Sequence, residues 1–103
     1  MRITKIKATN MELTDAIRTY VEEKLMALEP KLERFGESVS LDVEVGKTTQ
    51  HHRKGDVFRC EIQSTLPGRK LIRAEKTNDD LYKAIVEAIN VFEREVIRYK
   101  ESF

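Results

Sequence analysis

The chain has no tryptophan, one cysteine, two prolines and four glycines in 103 residues. A lone cysteine, Cys60, excludes an intrachain disulfide and any zinc site built on several thiolates. A reducing compartment fits that usage. The few glycines are scattered at turn positions, so no glycine-rich phosphate loop exists. Aromatic residues make up only 7%, so the core must be mainly aliphatic, and a hydrophobic share of 40% is enough to build one. Charge of one sign is also missing. Charged residues reach 36% but the formal net charge is +1, so a nucleic-acid footprint would have to come from segregation of charge, not from surplus. No apolar run approaches the roughly 20 residues of a membrane span. The opening M-R-I-T-K-I-K lacks the apolar centre of a signal peptide. These features predict a soluble cytoplasmic protein forming one domain over 1–103, with no repeat and no low-complexity tail.

What is present is strong periodicity. Across 77–100, Leu81, Ile85, Ala88, Ile89, Phe92, Val96 and Tyr99 recur at three- and four-residue spacing. That marks the apolar face of a helix of about six turns. Thr77 or Asn78 is expected at its N-cap, with Asp79 and Asp80 in the first turn and Arg94, Arg98 and Lys100 near its end. The opposite face carries Lys83, Glu87, Asn90, Arg94 and Arg98. A first strand is expected over 1–8, where Ile3 and Ile6 alternate with polar residues. Thr14 then caps a helix whose apolar face is Ile17, Val21, Leu25, Leu28, Leu32 and Phe35. Pro30 falls inside that pattern and predicts a kink or break near Leu28 or Glu29. Gly36 ends the element.

Alternation is clean over 38–47, with Val39, Leu41, Val43 and Val45 inward and Ser40, Asp42 and Glu44 outward. It recurs over 56–66, where Phe58, Cys60 and Ile62 oppose Arg59, Glu61 and Gln63. Pro67-Gly68 signals a turn, and 69–75 a fourth strand with Leu71, Ile72 and Ala74 apolar. The order is β-α-β-β-β-α. The fold class expected is α+β, a two-layer sandwich with two helices on one face of a four-stranded mixed sheet and a polar, wet face opposite.

A catalytic or metal site finds little support. His51 and His52 are adjacent, with no framing Cys-x-x-Cys or His-Glu-x-x-His, and sit in a basic loop with Gln50, Arg53 and Lys54. Cys60 holds an alternating apolar position and reads as core, not nucleophile. No pair of carboxylates stands out as acid and base. No enzyme activity, metal, cofactor or small-molecule substrate is expected. Tyr82, beside the apolar stripe, reads as a packing residue with a wet hydroxyl. Binding remains. Lys24, Lys31, Arg34, Lys76, Lys83, Arg94, Arg98 and Lys100 lie on helices or at their ends, and on the first helix Glu22, Glu29 and Glu33 fall on the flank away from Lys24, Lys31 and Arg34. Two accounts stay open: a solvated helix with mixed charges, or a basic edge facing a second one on the last helix. Such cations could track a phosphate backbone. Without interleaved aromatics they would follow structured RNA by shape.

The segment M-E-L-T-D-A-I-R-T-Y-V-E-E-K-L at 11–25, followed by Leu28-Glu29, resembles the start of the ribosome hibernation-promoting factor family. So does Asp80-Leu81-Tyr82-x-Ala84-Ile85, running on into Phe92-Glu93-Arg94 and Arg98-Tyr99-Lys100. The likeness spans essentially the whole chain. It implies a β-α-β-β-β-α fold with two parallel helices, and a first strand inside the sheet, parallel to one neighbour. The free chain is expected to be a monomer. The likeness implies a factor that binds the small ribosomal subunit through its rRNA. There it occupies the messenger RNA channel and transfer RNA sites under stress or in stationary phase, blocking translation. The chain looks like a short form, or the N-terminal domain of a long form with a dimerising C-terminal domain. Carried over by position, Arg18, Lys24, Lys76, Arg94 and Arg98 match basic places of the family. Lys31, Lys83 and Lys100 join them as candidate rRNA contacts, with His51, His52, Arg53 and Lys54 as possible loop contacts. Ala27, Pro30 and Val91 stand where the family often has a basic residue, and Glu95 where it has Gln. Those departures predict a thinner footprint. A protein-interaction module, using Val86, Val91 and Ile97 as an exposed apolar strip, is the second reading.

Overall fold

The alternating segments become strands because each has one mainly apolar side, with Ser64 the one buried polar residue among the described ones, and two apolar helical faces must cover that side. The computed structural model describes residues 1–33, 35, 39–48 and 55–102. Its elements run β1 (Arg2–Thr9), α1 (Asp15–Met26), α2 (Glu29–Leu32), β2 (Ser40–Lys47), β3 (Phe58–Leu66), β4 (Lys70–Asn78) and α3 (Leu81–Glu101). The sheet order is β1-β2-β3-β4, with β1 and β2 parallel and the other pairs antiparallel. This is the expected α+β architecture, a mixed four-stranded sheet under a helical layer.

One expectation is corrected. β1 lies at an edge and not inside the sheet. The physical reason is connectivity. β2, β3 and β4 each pair with their chain neighbours, which uses both sides of β3 and one side of β2. The strand that enters through the helical crossover takes the remaining side of β2. Its exposed edge is blunted by Arg2, Lys5 and Lys7 and by an irregularity between Ile3 and Lys5. There the Thr4 hydroxyl bonds the Leu41 carbonyl at 3.1 Å and the Asp42 carboxylate at 2.6 Å.

The core lies between sheet and helices. Leu41, Val43, Val45, Cys60, Ile62, Leu66, Ile72 and Ala74 meet Ile17, Val21, Leu25, Leu28, Leu32 and the long apolar face of α3, with Phe92 its largest fully buried side chain. Leu71, the third apolar residue of β4, lies on the open side and is 54% exposed. Thr14 caps α1, accepting from the Ile17 N–H at 3.2 Å. The helical segment breaks at Ala27–Leu28, as Pro30 predicts, and resumes as α2 with proline in its first turn, where no N–H is required.

The cap of α3 also differs from expectation. Asp80, not Thr77 or Asn78, accepts from the Tyr82 and Lys83 N–H groups at 2.9 and 3.2 Å. Thr77 and Asn78 are taken by strand pairing with Arg59 and Phe58, and the Asn78 side chain accepts from the Asp80 N–H. At its other end α3 is tied to the β3–β4 hairpin, where the Tyr99 hydroxyl donates to the Pro67 carbonyl at 2.6 Å. Gly68 in that turn has φ +87°, and a Cβ there would lie 2.7 Å from the Tyr99 hydroxyl.

Candidate nucleic-acid interface

Helical spacing decides which cations share a surface. Lys24 and Lys31, seven residues apart, line one side of a groove of about 250 Å³ whose other side is Val86, Asn90 and Glu93 of α3. Lys83 and Arg94 are eleven residues apart, close to three helical turns, and stand with Asn90 on the outward crest of α3. Both are exposed. Above the groove, Tyr20 of α1 and Tyr82 of α3 meet edge to face, centroids 4.6 Å apart at 85°. The Lys24 ammonium sits 5.4 Å from the Tyr20 ring centre.

Glutamates temper this surface. Lys31 pairs with Glu93 across the groove, and Lys100 donates to the Lys31 carbonyl at 3.0 Å. Arg98 pairs with Glu95 one turn back at 3.3 Å. Lys24, Lys83 and Arg94 have no ion pair among the described residues, nor has Lys76, which is exposed near the end of β4. Arg18 stands apart from all of these. It borders a different groove, beside β1, with Lys5, Glu22, Met26 and Glu29. Arg34, His51, His52, Arg53 and Lys54 lie outside the described residues. Exposed pairs of this kind contribute about 0–1 kcal/mol, so a phosphate could displace Glu93 or Glu95.

The open sheet face behaves differently. Its charges satisfy one another. Arg59 reaches Glu44 at 2.9 Å, Glu61 at 2.5 Å and Glu75 at 3.0 Å, and Arg73 reaches Glu61 at 2.6 Å and Glu75 at 2.5 Å. Hydrogen bonding to the Arg59 guanidinium holds the Glu44 and Glu75 carboxyls below their usual value, with Thr9 helping at Glu44. The same network, through Glu75 first, raises the pKa of Arg59. Among the described residues charge is therefore partly sorted: Lys24, Lys83 and Arg94 stand without an ion pair on the helical side, Arg59 and Arg73 are tied into a network on the sheet side, and Lys5, at the β1 edge of that sheet face, has no ion pair. Val86, Val91 and Ile97 are half-buried, not an exposed strip, and among the described residues the large exposed apolar side chains are Met26, Leu71 and Tyr82.

The remaining chemistry is sparse. Cys60 is fully buried and its thiol is pushed up to about 12 by burial. Among the described residues no group of three or more His, Cys, Asp or Glu side chains could hold a metal ion. Among them, too, no helix is long and apolar enough to cross a membrane. Sequence reasoning missed the Tyr20–Tyr82 pair and the Lys31–Glu93 pair. Each joins residues 62 positions apart, for which periodicity within one helix carries no signal.

A family model described as "Sigma 54 modulation protein / S30EA ribosomal protein" matches residues 4–103. A protein of Deinococcus radiodurans named "Ribosome hibernation promotion factor" is 35% identical over 104 residues, covering 100% of this chain and 51% of that protein. One of the same name from Staphylococcus aureus is 37% identical, covering 93% and 47%. The chain thus spans about half the length of the curated relatives it matches. The crystal structure of the Protein Y N-terminal domain of Thermus thermophilus superimposes with a TM-score of 0.76 at 37% identity, covering 96% of this chain and 99% of that one. The chain belongs to the sigma 54 modulation protein / S30EA ribosomal protein family.

Proposed function

We propose that this chain is a ribosome-binding translation inhibitor, a hibernation factor that seats its helical face on rRNA of the small ribosomal subunit. Two relatives carry hibernation promotion in their names and align over nearly all of this chain. The observation that carries the choice of face is the sorting of charge. Lys24, Lys83 and Arg94 project from the helical layer without an ion pair among the described residues, while the guanidiniums of Arg59 and Arg73 on the sheet face are spent on carboxylates. Cations at helical spacing meet successive phosphates and release counterions, which gives affinity that falls steeply with salt.

The mechanism is occupancy. A folded body of 46 × 26 × 20 Å lodged in the channel for messenger RNA and the transfer RNA sites excludes both, and no bond is made or broken. It acts in the cytoplasm, as a monomer when free. Lys31, Lys76, Arg98 and Lys100 add contacts at the rim, Lys31 and Arg98 after exchanging a glutamate for phosphate, while Arg18, on the groove beside β1, and His51, His52, Arg53 and Lys54, outside the described residues, add contacts beyond it. The alternative of a protein-docking module loses its feature, since Val86, Val91 and Ile97 are half-buried. The test is competition. Small subunits preloaded with the chain should fail to retain messenger RNA and initiator transfer RNA on a filter. Undiminished retention at saturating protein would refute channel occupancy.

A further inference from the structure

We propose that the Tyr20–Tyr82 pair is a stacking platform for one unpaired nucleobase of the RNA that the helical face holds, an inference that rests on the RNA-binding reading above. The two rings meet edge to face, 4.6 Å between centroids, about one helical turn before the groove-lining Lys24 and Val86. Packing does not require Tyr82. The first turns of α3 already bury Leu81, Ala84, Ile85 and Ala88, and Tyr82 remains 40% exposed. Neither tyrosine hydroxyl has a hydrogen-bond partner among the described residues, which leaves both available to ribose or phosphate oxygens. Lys24 lies over the Tyr20 ring, 5.4 Å from its centre, so the base stacks on the exposed Tyr82 ring, with Lys24 and Lys83, the residue after Tyr82, supplying positive charge. A base on the rings and its phosphate on a lysine is the pairing that single-stranded sites use. The N-terminus of α3 is not the phosphate site, because the Asp80 carboxylate already occupies the Tyr82 and Lys83 N–H groups. Every base has a π face, so the platform takes any extruded or single-stranded nucleotide without choosing among bases.

The chain has no tryptophan, so its intrinsic emission comes from three tyrosines, two of them in this pair. A short oligouridylate and an abasic oligomer of equal length carry the same phosphates and differ only in bases. Titrated into the unaltered chain, the base-bearing strand should bind about 5- to 150-fold more tightly, the range of one stacked base, and quench tyrosine emission. Tyr82→Ala should erase that difference and leave the dependence on salt unchanged, while Tyr82→Phe should keep it. Equal binding of both strands, with a steep salt dependence, would overturn the platform and leave the phosphate reading standing. Binding of neither strand would overturn the platform, and a structured RNA titrated across a salt series decides the phosphate reading separately. The comparison on the unaltered chain needs no variant to fold.

Discussion

Replacing Glu93 and Glu95 together with Gln should tighten RNA binding. In the native chain Glu93 holds Lys31 and Glu95 holds Arg98, so the helical face presents Lys24, Lys83 and Arg94 as unpaired cations among the described residues. At about 0.7–0.9 in the slope of log K against log salt for each phosphate met, three such contacts give a slope of roughly −2 to −3. Releasing Lys31 and Arg98 raises the count to five and the slope to roughly −3.5 to −4.5. Over a change from about 50 to 200 mM salt, two added contacts amount to about a tenfold greater loss of affinity. Folding should hardly notice, because exposed pairs contribute about 0–1 kcal/mol each. The assay is fluorescence anisotropy of a labelled structured RNA across a salt series, with urea unfolding as control. A slope equal to that of the unaltered chain, with the fold intact, would refute the reasoning that these glutamates compete with phosphate.

Three further outcomes follow from the packing. The Glu44 and Glu75 carboxyls are held below their usual value of 4.5 by Arg59, so their contribution is present above that value and lost as pH falls through the depressed values. The urea midpoint should therefore drop on acidification below about pH 4.5, and Arg59→Gln should flatten that drop; parallel curves for the two proteins would contradict it. Cys60 is buried with its thiol raised to about 12, so a thiol-reactive dye should label it only after unfolding, and rapid labelling of the native chain would show the site open. A Cβ on Gly46 would lie 2.5 Å from the Thr9 carbonyl of the paired edge strand, so Gly46→Ala should destabilise by about 1–3 kcal/mol in urea unfolding, against no change if β1 yields freely.

Much of the architecture was readable because single segments carried it. Alternation from Val39 to Val45 needs no partner to announce a strand, and Pro30 marks its own break. The misreadings share one physical source, competition from elsewhere in the chain. Asn78 looked like a cap for α3 until pairing with Phe58 drew it into β4 and left Asp80 to cap. The edge position of β1 depends on which sides β2 and β3 have already filled. Within the interface, Lys24 and Lys31 were legible as one flank, and Arg18 could have been set apart by angle alone. Six residues separate it from Lys24, about 240° around a helix. The neutralisation of Lys31 by Glu93 was not legible, because it joins side chains on two helices whose contact only the fold creates.

On the proposed function, the helical face and not the sheet face holds ribosomal RNA. The most direct test is sedimentation of the chain with vacant small subunits at low and high salt, beside a variant with Lys24, Lys83, Arg94 and Arg98 all replaced by Glu. The unaltered chain should pellet at low salt and be stripped at high salt, and the variant should stay in the supernatant throughout. Equal pelleting of a folded variant would place the binding surface elsewhere.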